Sequence, residues 1–392
     1  MNALEVIQEA VNLCRQLAAA CPAAYNPDLA MSLNNLSGRL SDLGHREHAL
    51  EVIQEAVYLR QQFAAALPAA FNPDLATSLP NLSNRLADLG HREHALDAIQ
   101  KVVDLHRQLA AARSATFNPD LASSLDTLSG CLSGIGHRER AFKVIQEAVD
   151  LRQQLAAALP AAFNPDLAMS LTNLSSRLAD LGHCERALDA IQEAVDLYRQ
   201  LAATRPAAFN PNLAMSLNKL SGRLSDLGHR ERALEAIQEA VELCQQLSAA
   251  HPAVSNFNLN LNLAMSLDHF SSCLSDLGHR ERALEVIQEA VNLYRQLAAP
   301  RPATFNPNLA TSLINLSSCL SDLGHRERAL GVIQEAANLR RQLAADHPSV
   351  FNVIFASSLD ELALQLSNLG HDEQASEALR EAAMIRSQTA AV

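Results

Sequence analysis

Residues 27–67 read PDLAMSLNNLSGRLSDLGHREHALEVIQEAVYLRQQFAAAL and hold two helical patterns separated by one glycine. In the first pattern, five leucines recur at steps of three and four residues, which places them on one face of a helix. Gly44 follows the last leucine, and glycine readily adopts the positive φ that ends many helices. The second pattern begins near Arg46, has a wide apolar face and ends near Pro68. The stretch therefore predicts a pair of antiparallel helices.

The start of each first helix is predicted from an Asn-Pro sequence, as in Asn72-Pro73-Asp74. Asparagine caps a helix well, proline suits its first position, and an aspartate complements its positive end. Phe71 precedes this start, and we expect it to pack back over the first turn. Pro80 lies further along the same helix, where we expect a kink because proline lacks a backbone N–H.

This pattern recurs along the whole chain. A Gly-His pair occurs eight times, at intervals of 46 residues with one interval of 50. The glycines of these pairs are Gly44, Gly90, Gly136, Gly182, Gly228, Gly278, Gly324 and Gly370. One helix pair cannot bury both of its faces, but stacked pairs can. We predict an all-α fold, a right-handed α-solenoid of stacked antiparallel helix pairs with about 17 helices.

The repeats predict a single domain over residues 1–392. Residues 1–21 match a second helix whose first helix is missing, so its apolar face would be uncovered. The full repeats are predicted at 27–67, 73–113, 119–159, 165–205, 211–251, 257–301, 307–347 and 353–391. The unit that starts near His251 carries four extra residues, and we expect a longer loop between His251 and Leu263.

Eight residues of the first full unit form a further pattern at fixed spacing: Leu33, Leu36, Ser37, Leu40, Gly44, Ala49, Ile53 and Ala56. This pattern resembles the tetratricopeptide repeat, a helix-turn-helix unit of usually ~34 residues. The longer unit seen here, with its Leu-Asn-Asn-Leu sequence, is similar to the kinesin-light-chain type and to repeats of long fungal proteins. The resemblance covers essentially the entire chain and implies a protein-binding solenoid.

The resemblance also implies where a ligand would lie. The first-helix positions of Met31, Asn34, Asn35 and Gly38 would face a concave groove, where an asparagine amide can donate to and accept from a peptide backbone. The candidate groove residues are Asn34, Asn35, Asn81, Asp126, Asn173, Asn218, Lys219, Asp268, His269 and Asn315. The alternative is that these side chains only face solvent or bond within the solenoid. Because lysine occurs in the Asn35 position only as Lys219, a clamp for a terminal carboxylate is not expected.

One position in the second helix also differs strongly between otherwise similar repeats. Arg60 corresponds to Cys14, His106, Arg152, Tyr198, Cys244, Tyr294 and Arg340. Positions that vary among near-identical repeats are candidates for specificity, since buried positions hardly change.

Composition and motifs argue against catalysis and against nucleic-acid binding. The formal charge of the 392-residue chain is −12, whereas phosphate neutralisation needs a basic surface. The sequence has no phosphate-binding glycine loop, HExxH or GxSxG motif, and its titratable residues are spread evenly. Successive turn histidines, such as His45 and His91, lie too far apart to share a zinc ion. We therefore predict no enzyme activity, no catalytic residues, no cofactor and no metal site.

The expected compartment is the cytoplasm, with the nucleus as an alternative. The N-terminus lacks the features of a signal peptide, and no run approaches the ~18 apolar residues of a membrane helix. Seven cysteines without a CxxC pair suggest reduced thiols.

The favoured function is a non-catalytic scaffold for protein–protein interaction that binds a partner protein or an extended peptide, and neither nucleic acid nor membrane. The alternative is a sensor or regulatory repeat region of a larger multidomain signalling NTPase or protease-like protein. A metal- or redox-active array of histidines and cysteines is a remote third hypothesis. The uncovered N-terminal helix could also serve for docking or self-association.

Overall fold

The computed structural model describes residues 3–250 and 257–390, which form seventeen helices and contain no strand. The predicted all-α architecture and the helix number are confirmed for these residues. The helices are α1 Ala3–Ala20, α2 Pro22–Asp42, α3 Arg46–Ala66, α4 Pro68–Asp88, α5 Arg92–Ala112, α6 Ser114–Gly134, α7 Arg138–Ala158, α8 Pro160–Asp180, α9 Cys184–Thr204, α10 Pro206–Asp226, α11 Arg230–Ala250, α12 Phe257–Asp276, α13 Arg280–Ala298, α14 Pro302–Asp322, α15 Arg326–Asp346, α16 Pro348–Asn368 and α17 Asp372–Ala390.

The chain forms two compact units, Met1–Ala190 and Ile191–Val392. Within each unit, the two helices of a pair pack on each other, and the second helix also packs on the first helix of the following pair. The small residue at the Ala49 position is buried in every described repeat, as its recurrence in the sequence predicts. Leu33 and Ile53 are buried beside it. This is the packing expected of stacked helix pairs.

The predicted start of the first helices is wrong by about one helical turn. Helix α4 begins at Pro68, directly after Leu67, and Asn72 and Pro73 lie inside it. Pro68 therefore takes the early position in which a proline costs no hydrogen bond. The extra turn carries Phe71, whose ring lies 5.1 Å from that of Phe63, between centroids.

The same extra turn is present in the other described first helices, and in several of them it buries an aromatic side chain, whereas Tyr25 is 36% exposed. Phe117, Phe209 and Phe305 are buried at this position. The arginine four residues earlier covers the rings of Phe117 and Phe209, and the guanidinium carbon of Arg205 lies 4.8 Å from the Phe209 centroid. Apolar burial thus offsets the hydrogen bond that the internal proline removes. The first helices consequently begin some residues before the predicted repeat boundaries.

Two other sequence irregularities have different outcomes. Helix α4 runs through Pro80 without a break. The kink expected at Pro80 stays a prediction, because it concerns the angle of the helix axis. Of the loop predicted between His251 and Leu263, residues 251–256 lie outside the described residues. The prediction is wrong for residues 257–263, which belong to α12.

The turn inside each pair has the geometry that its glycine predicts. Gly44 has a φ of 84°, and the seven equivalent glycines also have positive φ. The arginine after the turn reaches the next repeat: Arg138 Nη1 donates to the carbonyl oxygen of Asp180 at 3.3 Å. Because the last carbonyls of a helix lack partners within it, this arginine caps the end of α8.

A buried serine joins the two helices of nearly every pair. Ser175 Oγ donates to the carbonyl oxygen of Ala187 at 2.7 Å, and Ala187 is the small residue of the close contact. The same bond is formed by Ser37, Ser83, Ser129, Ser221, Ser271 and Ser317. In α16 the position holds Ala363, so the last pair lacks this donor.

Candidate functional site

The predicted groove residues lie on the first helices of their pairs. They fall on α2 (Asn34, Asn35), α4 (Asn81), α6 (Asp126), α8 (Asn173), α10 (Asn218, Lys219), α12 (Asp268, His269) and α14 (Asn315). The structure brings them together in three clusters, one around Asn34, one around Asp126 and one around Asp268.

The Asn34 cluster borders a cleft of about 490 Å³ between α1, α2 and α4. Asn34, Asn35 and Asn81 line it together with Arg39 and Arg85. Asn81 Nδ2 donates to Asn34 Oδ1 at 2.9 Å, so part of this amide set bonds within the protein. Asn35 is exposed beside them and its amide faces solvent.

The Asp126 cluster is closed by an ion pair. Arg152 of α7 approaches Asp126 at 2.7 Å, with side-chain exposures of 3% and 10%. Ser170 Oγ donates to Asp126 Oδ2 at 2.8 Å, and Asn173 Nδ2 lies 3.4 Å from Oδ1. Burial raises the pKa of Asp126, while the charge of Arg152 and these hydrogen bonds oppose the rise. Asp126 and Asn173 are therefore structural partners here.

The Asp268 cluster borders a larger cleft of about 680 Å³ between α10, α12 and α14. Asn218, Lys219, Asp268, His269 and Asn315, all predicted groove residues, line it.

In the same cleft, the carboxylate of Asp268 accepts hydrogen bonds from Ser312, Asn315 and Tyr294. Burial raises the pKa of Asp268 to about 6, although these neutral donors oppose the rise. Burial also raises the pKa of Tyr294, and the adjacent carboxylate raises it further.

His269 lies beside this carboxylate on α12 and is held in place by its neighbours. Its imidazole hydrogen-bonds the backbone of Asn218, and burial lowers its pKa. Asn218 Nδ2 donates to Ser266 Oγ at 2.8 Å. Asn218 Oδ1 is buried and has no hydrogen-bond partner in the described structure. The cleft thus contains an acceptor that its own residues leave unused.

The second-helix position of Arg60 contacts the first helix of the next repeat. Arg152 and Arg340 donate to Ser170 Oγ and Ser358 Oγ at 2.5 and 2.7 Å. His106 Nδ1 lies 2.6 Å from Ser124 Oγ. The expectation that buried positions hardly change is wrong here, because Arg152, Tyr294 and Arg340 differ and are all buried. The serine partner could not be found from the variation alone.

The described residues contain no group of three or more His, Cys, Asp or Glu arranged to hold a metal ion. None of the described helices combines the length and apolarity required to cross a lipid bilayer.

Comparison with protein families bears on these repeats directly. The sequence model described as Tetratricopeptide repeat matches residues 29–62, 75–112, 167–202, 213–253 and 309–349. These segments are tetratricopeptide repeats. Each matched repeat starts within a first helix and extends into the second helix of the same pair. The model described as Anaphase-promoting complex subunit 5 matches residues 250–300 and 346–390. A search of curated protein sequences found no match.

Two solved structures with TM-scores above 0.5 share the fold. BtubC (BKLC) from P. vanneervenii has a TM-score of 0.51 at 19% identity, over 64% of this chain and 92% of its own. A Signal Transduction ATPase with Numerous Domains (STAND) protein with a tetratricopeptide repeat sensor, from Pyrococcus horikoshii, has 0.53 at 13% identity, over 98% of this chain and 53% of its own. A Podosopora anserina putative kinesin light chain with nearly identical TPR-like repeats has 0.40 at 18% identity, over 57% and 97%.

Proposed function

We propose that the chain is a non-catalytic scaffold that binds an extended peptide or a segment of a partner protein along its first helices. The observation that carries this proposal is the set of amides and carboxylates that line the two clefts of about 490 and 680 Å³. Such groups can pair with the backbone and the side chains of an extended peptide. Tetratricopeptide repeats are typical of protein-interaction scaffolds, which supports this choice.

The proposed partner is a protein or peptide, and neither a nucleic acid nor a membrane. The formal charge of −12 supports this choice, because binding to phosphates requires neutralising lysines and arginines. All seven cysteines are free thiols, which supports a reducing compartment such as the cytoplasm or nucleus.

The experiment that tests peptide binding is selection from a displayed library of random peptides with the full chain as bait. We expect selected peptides to lose affinity when Asn35→Ala and Lys219→Ala are introduced into the two clefts. Matched controls are Glu51→Ala and Glu235→Ala, which alter exposed residues of the second helices α3 and α11. A library that yields no binding peptide would refute the proposal, and so would an equal loss of affinity in the control variants.

A second candidate is the sensor or regulatory region of a larger signalling protein. The observation that favours it is the match of 98% of this chain to the STAND protein with a tetratricopeptide repeat sensor. The full-length transcript tests this candidate: a nucleotide-binding motif encoded in the same reading frame supports it, and an open reading frame limited to repeats refutes it.

Helix α1 is the proposed surface for docking or self-association. Its large apolar side chains Val6, Leu13 and Leu17 are 49%, 54% and 45% exposed. Burial of such groups would stabilise a contact by about 25 cal/mol per Å². Light scattering of wild type and Leu13→Asp at increasing concentration tests self-association, and identical monomer masses would refute that form of contact.

A further inference from the structure

Two clusters of the chain occupy the same repeat register. Asp126, Ser170 and Asn173 in the first unit correspond to Asp268, Ser312 and Asn315 in the second. In both clusters the aspartate accepts hydrogen bonds from the serine and the asparagine of the next first helix. The two clusters therefore present the same carboxylate in the same frame of neutral donors.

The clusters differ in the residue that reaches the carboxylate from the second helix. Arg152 fills the first cluster, where its guanidinium contacts Asp126 at 2.7 Å and also donates to the backbone oxygen of Asp166 at 2.7 Å. Tyr294 stands at the corresponding position of the second cluster. A neutral hydroxyl thus replaces a cation that makes several hydrogen bonds.

This replacement leaves the charge of Asp268 uncompensated by its immediate hydrogen-bond partners. Its donors Ser312, Asn315 and Tyr294 are neutral, and burial disfavours its ionised form. A buried carboxylate gains most from a partner that brings a positive charge together with hydrogen-bond donors.

The cleft beside Asp268 has room for such a partner. Its volume is about 680 Å³, and Asn218, with its unpaired Oδ1, lines the same cleft. Arg223, another lining residue, is paired with Asp226 at 3.2 Å. Asp268 therefore borders a space with room for an incoming side chain.

We propose that this cleft binds an arginine side chain of the peptide partner, and that its guanidinium pairs with Asp268 as Arg152 pairs with Asp126. The proposal rests on the proposed peptide-binding function and adds the chemistry of one ligand residue. Arginine is favoured over lysine because its planar fork of donors matches the geometry of a carboxylate. The chain itself uses this group in the equivalent position of the first cluster.

The test uses the full chain and a library of random displayed peptides, with the affinity of each selected peptide measured in solution. We expect arginine to recur in the selected peptides and its replacement by citrulline, which is neutral and similar in shape, to weaken binding about tenfold or more. Asp268→Asn should cause a similar loss for the arginine peptides and no further loss for the citrulline peptides.

A pair of variants at Tyr294 provides the control for folding. Tyr294→Arg would place the chain's own guanidinium on Asp268 and should abolish the preference for arginine over citrulline. Tyr294→Phe removes only the hydroxyl and should retain this preference, and circular dichroism checks that each variant is folded. Peptides that bind without regard to arginine or Asp268 would overturn this inference and leave the scaffold function intact. A library that yields no peptide would overturn both.

Discussion

The guanidinium of Arg152 lies 2.7 Å from the carboxylate of Asp126, and both side chains are almost fully buried. The pair links α6 to α7, and Ser170 extends the link to α8. The corresponding positions pair again in the last repeat, where Arg386 contacts Asp360. In these two repeats the variable positions of the first and second helices are therefore direct partners of one another.

Replacement of Arg152 by methionine should strongly destabilise the first unit. The change leaves the Asp126 carboxylate buried without its cation. We expect a loss of roughly 3–5 kcal/mol in the free energy of unfolding. Urea unfolding followed by circular dichroism measures the loss. The matched control is Arg107→Met, since Arg107 forms an exposed pair with Glu147 that should contribute about 1 kcal/mol or less. Equal effects of the two substitutions would contradict the structural role of the buried pair.

Replacement of Ser175 by alanine should remove the hydrogen bond to the carbonyl of Ala187. We expect a loss of about 1 kcal/mol in the free energy of unfolding, the usual net value of one such bond. The chain offers the reverse experiment at Ala363, where Ala363→Ser should add the missing bond to the last pair and raise the thermal midpoint. A destabilised Ala363→Ser protein would show that this position does not accept the serine geometry of the other repeats.

Replacement of Gly44 by alanine should strain the turn between α2 and α3. Gly44 has a φ of 84°, which costs an L-residue with a Cβ atom about 1–2 kcal/mol. Gly38 lies inside α2, near its C-terminal end, and an added Cβ would meet no atom within 4 Å, so Gly38→Ala should stabilise the helix by about 0.5–1 kcal/mol. The thermal midpoint should therefore fall for Gly44→Ala and rise for Gly38→Ala. A shift of the same sign in both variants would refute this explanation.

The sequence predicts the helix pairs because their apolar spacing, turn glycines and close alanine contacts all depend on local periodicity. It predicts the wrong start for the first helices because two prolines, such as Pro68 and Pro73, compete as start signals. The choice between them depends on burial of Phe71 against the preceding helix, which is a tertiary effect.

The candidate site could likewise be predicted from the sequence only in part. Repeat register places Asn34, Asp126 and Asp268 on equivalent faces without any coordinates. The partners of Asp126 and of Asp268 come from neighbouring helices at the same sequence offsets, so repeat register alone could not distinguish the closed Asp126 cluster from the open Asp268 cleft. The residue that separates the two cases, Arg152 or Tyr294, was visible as a variable position but had no identified contact.

Asp268 should make the stability of the second unit depend on pH. Burial raises its pKa to about 6 from the ordinary value of 3.8, so the folded chain binds more protons than the unfolded chain between these values. Stability therefore falls as pH rises through this window and stays lower above it. Asp268→Asn removes the penalty, and its advantage over wild type should grow from near zero at about pH 4 to at most about 3 kcal/mol at about pH 7.

Urea unfolding of both proteins across this pH range measures the difference, and the titration of His269 is common to both. Tyr294→Arg is the second variant, because a guanidinium beside Asp268 should favour the ionised carboxylate and lower its pKa. The stability of that variant should then fall less than that of wild type as pH rises from about 4 to about 7. A difference between wild type and Asp268→Asn that stays flat, or that grows toward acid pH, would contradict an uncompensated carboxylate in the cleft.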